Sequence, residues 1–276
     1  MSQTRIANVW RSSRMIEMYG MMDVGIKRSH NEDAIALLPS HGLAVLADGM
    51  GGHNAGEVAS NLAVETIARF IRKHLDRLRD PASSESATSQ LLADAVREAN
   101  LKVFDMARSR PECSGMGTTV VASLFSGDRL ISAHVGDSRM YRLRGEYLTL
   151  VTEDHSLVHE QMKRGLLTPI DAHHSRARNI VTRAVGIAPD IEPDIHTHEV
   201  NRGDLYLICS DGLTDVVPDE AIRLTMLEYG HQLDHTAKEL INLAKDAGGP
   251  DNIAIVLIRT HAPFERKRGL IARLIR

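Results

Sequence analysis

Acidic residues stand where the apolar runs of this chain begin or end. Asp48 closes "GLAVLAD", Asp211 closes "DLYLICSD", and Asp251 leads into "NIAIVLIR". Asp137 follows "LISAHVG", and Glu32-Asp33 precede "AIALL". A carboxylate at the end of a buried strand costs free energy when it is unpaired, and a bound cation removes that cost. Oxygen ligands without clustered His or Cys favour a hard divalent cation, Mg²⁺ or Mn²⁺, over zinc. A single Asp-Gly pair is ordinary turn chemistry. Acids at five separate strand ends point instead to a shared metal site.

Asp48 is followed by "GMGGHNAGEV", with glycines at 49, 51, 52 and 56. A phosphate loop of the Walker type needs Lys and Ser/Thr directly after its last glycine, and Glu57 and Val58 stand there. A carboxylate in that place repels phosphate. The dinucleotide spacing also fails, because Asn54 takes the third glycine position after Gly49 and Gly51. Nucleotide binding by this loop is excluded, and Asp48 carries its chemistry.

The elements that must position these acids read as follows. Short strands over 22–26, 34–39 and 42–48 precede a long helix over 55–80, with Val58, Leu62, Ile67, Phe70, Ile71, Leu75 and Leu78 on its apolar face. "PASSESATS" reads as a polar loop, and a second helix over 90–107 carries Leu92, Val96, Ala99, Val103 and Met106. An antiparallel meander follows over 117–152, punctuated by SGD, GDS and RGE turns. Residues 155–179 read as an irregular, exposed excursion. Two strands, two helical stretches and a fully apolar last strand complete the chain. Helices in pairs and strands in groups indicate an α+β sandwich rather than a doubly wound sheet.

The whole chain sets bounds of its own. Its 276 residues carry 43% hydrophobic and 25% charged residues and a net charge of −3, which argues against a dedicated nucleic-acid binder. Two cysteines make neither a disulfide framework nor a zinc-cysteine cluster. The N-terminal residues have arginines but no uninterrupted apolar core, which argues against a signal peptide, and no stretch approaches ~20 apolar residues, so a cytoplasmic protein is the expectation.

The set "RSHNEDA", "LADGMGGHNAGEVAS", "GMGTTVVA", "HVGDSRMY", "LTLVTEDHS", "NIVTRAVG", "LICSDGLTDVV" and "GGPDNIAIVLI" resembles, in order over about residues 20–260, the bacterial metal-dependent protein phosphatases of the protein phosphatase 2C type. The resemblance implies a four-layer αββα sandwich, two antiparallel sheets flanked by helices. It places the catalytic domain at 19–260, between an N-terminal extension over 1–18 and a basic tail over 261–276. It implies two divalent cations, Mn²⁺ or Mg²⁺, bridged by Asp48, with the Gly49 carbonyl on one and Asp211 and Asp251 completing the other. Glu32 and Asp33 match the acidic pair that holds waters on the metals, and Arg28 matches the phosphate-binding arginine of R-x-x-N-E-D. Asp137 matches a ligand of a third, weaker cation, shared with Asp211 and assisted by Asp215. Eukaryotic relatives place a histidine two residues after the bridging aspartate, where this chain has Met50. His53 takes one of two roles, general acid toward the leaving oxygen or brace for the loop.

The implied activity is hydrolysis of phosphoserine and phosphothreonine on cytoplasmic proteins by a monomer, opposing a serine/threonine kinase. A non-catalytic binding relative and a small-molecule phosphomonoesterase are the alternative readings. The tail is distinct. Arg266, Lys267, Arg268, Arg273 and Arg276 surround a helical stripe of Leu270, Ile271, Leu274 and Ile275. That pattern suits an anionic membrane surface, an acidic partner, or a helix folded back on its own domain.

Overall fold

The computed structural model describes residues 5–10, 15–52, 55–74, 85–168, 171, 175, 177 and 180–262. Two antiparallel sheets lie face to face. The first has the order β1 (Arg5–Trp10), β2 (Ile16–Asp23), β12 (Ile253–Thr260), β11 (Leu205–Cys209), β8 (Arg139–Arg144), β9 (Tyr147–Leu150). The second has the order β10 (Asp194–Glu199), β7 (Arg129–Val135), β6 (Val120–Ser126), β4 (Leu43–Met50), β3 (Asp33–Leu38), with β5 (Gly117–Thr118) pairing onto the end of β4. Helices α1 (Ala55–His74) and α2 (Glu85–Ser109) cover the outer face of the second sheet; α5 (Asp219–Tyr229) and α6 (Leu233–Asp246) cover that of the first. The short helices α3 (Leu157–Lys163) and α4 (Asp211–Thr214) lie in connections. The result is the expected αββα sandwich.

Strand periodicity explains how this frame delivers acids to one place. Along β4, Leu43, Val45 and Ala47 pack toward α1 and α2, whereas Ala44 and Leu46 pack between the sheets. The next residue on the inter-sheet side is Asp48. Along β11, Leu205, Leu207 and Cys209 face the outer helices while Tyr206 and Ile208 face inward, so Ser210 follows on the inner side. On β12, Ala254, Val256 and Ile258 lie between the sheets and Ile253, Ile255 and Leu257 outside. Along β4, β11 and β12 the inter-sheet positions are therefore apolar until one end, where polar residues follow.

Several local expectations are corrected. Val58 is 37% exposed, and the buried face of α1 is formed by Ala55, Ala59, Ala63, Val64, Ile67, Ala68 and Ile71. Alanine at every fourth position lets the helix lie close to the sheet, and Val58 is turned off that stripe. Helix α2 starts at Glu85, inside the expected polar loop, with Thr88 buried and the Glu85 carboxylate at the positive end of the helix dipole. The excursion after Asp154 contains α3, capped by Ser156, whose hydroxyl accepts from the His159 N–H at 3.3 Å. Residues 5–10 and 16–18, expected in an N-terminal extension, pair into the first sheet as β1 and the start of β2. Among the described residues no helix is long and apolar enough to cross a membrane.

Candidate active site

Asp48 and Asp33 sit directly across from each other in the β3–β4 register, at the polar end of the inter-sheet space. The Asp48 main chain is fully engaged. Its carbonyl accepts from the Thr118 hydroxyl at 2.7 Å and from the Thr119 N–H at 2.8 Å, and its N–H donates to Thr119 Oγ1 at 3.0 Å. Thr119 Oγ1 also contacts Ser138 Oγ at 2.7 Å, which ties the turn carrying Asp137 to the same strand end. Gly49 must be glycine: a Cβ there would lie 2.1 Å from the Gly56 carbonyl oxygen and 2.6 Å from that of Glu32. The loop thus closes against the start of α1 and leaves the Asp48 carboxylate as the group that faces inward.

The first sheet contributes the other half. Ser210 Oγ donates to Asp33 Oδ2 at 2.9 Å and accepts from the Ala254 N–H at 2.9 Å, bridging the two sheets. Asn252 is a clamp: its Oδ1 accepts from the Glu32 N–H, and its Nδ2 donates to the carbonyls of Val24 and His30, each at 2.9 Å. Gly212 follows Asp211 because a Cβ there would come within 1.9 Å of the Asn252 carbonyl oxygen. Arg28 Nη2 donates to Asp251 Oδ2 at 2.7 Å, with the guanidinium half exposed at the rim. Glu32 is buried, its Oε1 3.3 Å from His30 Nε2. Asp137, also buried, lies by Asp154, which Arg139 holds in a bidentate pair. The fold thus brings Glu32, Asp33, Asp48, Asp137, Asp211 and Asp251 to one end, with Arg28 beside them; His53 lies outside the described residues.

Packing so many carboxyls together has an electrostatic consequence. Burial, reinforced by Asp251 and Glu32, pushes the Asp33 carboxyl up to about 7. Asp137 rises to about 6 through burial and the Asp154 charge. Asp48 and Asp211 are driven well above the usual carboxylate range by burial, then by neighbouring acids: Asp33 foremost for Asp48, Asp137 for Asp211. Asp33 Oδ1 and Asp211 Oδ1 are buried with no hydrogen-bond partner. Buried acceptors without donors, in an all-oxygen set that repels itself, fit hard divalent cations.

Sequence reading did not assign Ser210, Asn252 or Ser138 a role, because each acts on residues far away in the chain. The hints were position alone: Ser210 precedes Asp211, and Asn252 follows Asp251. It also missed His134, His155 and Asp194, which offer ligand atoms within 4.8 Å of one another. A cation already serves this group. Arg183 Nη1 donates to Asp194 Oδ1 at 2.8 Å and lies 2.9 Å from His155 Nε2, while the two imidazoles stack.

Fold and site together define an αββα sandwich with a carboxylate centre for divalent metal. The chain matches the family described as protein phosphatase 2C over residues 26–254. The serine/threonine protein phosphatase PstP of Mycobacterium tuberculosis is 41% identical over 235 residues, 85% of this chain and 43% of the relative. A putative protein phosphatase 2C-type of Streptococcus pyogenes is 36% identical over 243 residues, 87% of this chain and 96% of the relative. The solved catalytic domain of PstP in complex with two manganese ions aligns with a TM-score of 0.78 at 36% identity, covering 90% of this chain and 99% of that one. The chain belongs to the protein phosphatase 2C family. It spans less than half of the mycobacterial relative's length and nearly all of the streptococcal one's.

Proposed function

We propose that this chain is a metal-dependent protein serine/threonine phosphatase that removes phosphate from cytoplasmic phosphoproteins and opposes a serine/threonine kinase. The observation that carries the reading is the pair of orphaned buried oxygens, Asp33 Oδ1 and Asp211 Oδ1, within a self-repelling carboxylate cluster beside an exposed arginine. Asp48, the Gly49 carbonyl, Asp211 and Asp251 would hold two divalent cations, Mn²⁺ or Mg²⁺, and Asp137 would serve a third. When bound, these ions supply the positive charge that offsets the phosphate dianion and acidifies the attacking water.

The remaining steps belong to side chains. Arg28 spends Nη2 on Asp251, which leaves the rest of its fork of donors for phosphoryl oxygens. Asp251 thereby sets the guanidinium's position. Glu32 and Asp33, locked by Asn252 and Ser210, accept hydrogen bonds from the water that attacks phosphorus. The departing serine or threonine oxygen needs a proton, and His53 is assigned that role.

The chain acts as a monomer, and its buried free thiols Cys113 and Cys209 lie in separate cores, in keeping with a reducing compartment. The basic tail serves as a contact for an anionic membrane surface or an acidic partner. The central test is hydrolysis of a phosphothreonine peptide against a sugar phosphate, with and without chelator. Peptide turnover that chelator stops and Mn²⁺ restores is expected; full turnover in excess chelator sinks the metal reading, and preference for the sugar phosphate sinks the protein substrate.

A further inference from the structure

Beside the site the structure builds a surface that hydrolysis itself does not require. Thr118, which grips the Asp48 carbonyl, also exchanges both main-chain hydrogen bonds with Val185, at 3.0 and 2.8 Å. From Val185 the chain runs outward along α2 through Gly186, Ile187, Ala188 and Pro189. Gly186 has φ +91°, and a Cβ there would lie 2.2 Å from Val103 Cγ1, so the segment lies flush on the helix. Asn100, buried on α2, holds it: Oδ1 accepts from the Gly186 N–H at 2.7 Å, and Nδ2 donates to the carbonyls of Ala188 at 2.9 Å and Pro189 at 3.0 Å. A buried amide with three bonds to one loop fixes that loop tightly.

The outward surface of this fixed segment is apolar. Ile187 is 54% exposed and rests against Gly117, the residue paired with Met50 next to Gly49. Beyond it a groove of about 360 Å³ opens between α2 and the segment, with Leu101, Pro189 and Ile191 on its walls. Leu101 is 44% exposed. Arg97, Asp190 and Glu192 complete the lining; Arg97 pairs with Glu192 and Asp94, whereas Asp190 has no partner among the described residues. Exposed aliphatic side chains on a rigid wall form a binding surface at little ordering cost.

We propose that this groove docks the phosphoprotein substrate: an aliphatic residue inserts between Leu101 and Pro189 while an adjacent Lys or Arg meets Asp190. The proposal rests on the reading of the chain as a protein phosphatase. The occupant follows from continuity, since the segment that walls the groove starts at Val185, which is bridged to Thr118, the partner of Gly49, and from the unpaired Asp190 carboxylate in its lining. The docked residue therefore lies at a fixed spacing on one side of the phosphorylated one.

The test uses the full chain with Mn²⁺ and a series of phosphothreonine peptides in which one Leu-Lys pair is moved stepwise away from the phosphothreonine on either side. Para-nitrophenyl phosphate serves as the small ester. For the wild type, kcat/KM is expected to peak about tenfold above the unmodified peptide when the pair sits at one particular spacing on one side, through a lower KM. Leu101→Ser with Ile187→Ser flattens that peak and leaves the small-ester rate unchanged; Asn100→Ala, which frees the loop, flattens it as well. A flat profile in the wild type, or a peak that the double variant keeps, overturns the groove. Hydrolysis of the small ester with none of any peptide overturns the protein-substrate reading itself.

Discussion

Asp211 makes opposite demands on the empty and the loaded site. Without metal its carboxyl is forced well above the usual range by burial and by Asp137, Asp215 and Asp251, so it is a source of repulsion. With metal, on the proposed function, it would become a ligand. Asp211→Asn is therefore expected to raise the melting temperature of the metal-free protein while abolishing hydrolysis and the melting shift on adding Mn²⁺. In the wild type that shift corresponds to about 2.7 kcal/mol at a hundredfold excess over Kd. Thermal melts with chelator and with Mn²⁺ check both halves; a variant still stabilised by Mn²⁺ like the wild type removes Asp211 from the ligand set. Arg28→Ala acts differently, because the half-exposed guanidinium is proposed to contribute a charge-assisted bond to substrate. It should raise KM for a phosphothreonine peptide by about 1.5–3 kcal/mol in binding, with a smaller change in kcat, in steady-state kinetics.

Strands β7 and β10 carry a titration of their own. His134 is fully buried, its Nε2 donating to the Glu153 carbonyl at 2.8 Å while Nδ1 has no partner. Burial, with a lesser push from His155 and His196, lowers its pKa to about 4, against 6.5 for the free side chain. The unfolded chain takes up this proton near pH 6.5 and the folded one refuses it until about pH 4. The stability is fully present above pH 6.5 and is lost as pH falls toward 4. Between pH 7.5 and 5 the wild type should lose about 2 kcal/mol that His134→Gln does not. Urea unfolding at the two pH values checks it, and equal losses refute it. Nothing in "SAHVGD" announces this behaviour, since the cause lies in the Glu153 connection and the facing strand. The same limit runs through the elements. Asp48 was legible because alternation along β4 and the following glycine are local, and helix α2 was legible from Leu92 to Val103. Val58 was misassigned because alanine, weak on any hydrophobic scale, wins the face through close approach. The Asn252 clamp spans 220 residues and more, a distance no periodicity reports.

At the scale of the whole molecule, the last strand ends at Thr260, and the Ala262 N–H still reaches the Met15 carbonyl at 3.3 Å. Residues 263–276 lie outside the described residues. Arg266, Lys267, Arg268, Arg273 and Arg276 concentrate positive charge in a chain whose net charge is −3, next to Leu270, Ile271, Leu274 and Ile275 at helical spacing. Each basic residue near an anionic bilayer contributes about 1 kcal/mol, a contribution that salt screens within a Debye length of about 10 Å at 0.1 M. The residues proposed for the metal site and those lining the proposed substrate groove all lie within 26–254. Removing 263–276 is thus expected to leave phosphothreonine peptide hydrolysis unchanged and to abolish salt-sensitive flotation with anionic vesicles. If the full chain fails to float at low salt, the membrane contact is refuted. If truncation slows peptide hydrolysis instead, the tail has folded back onto the domain and belongs to the catalytic unit.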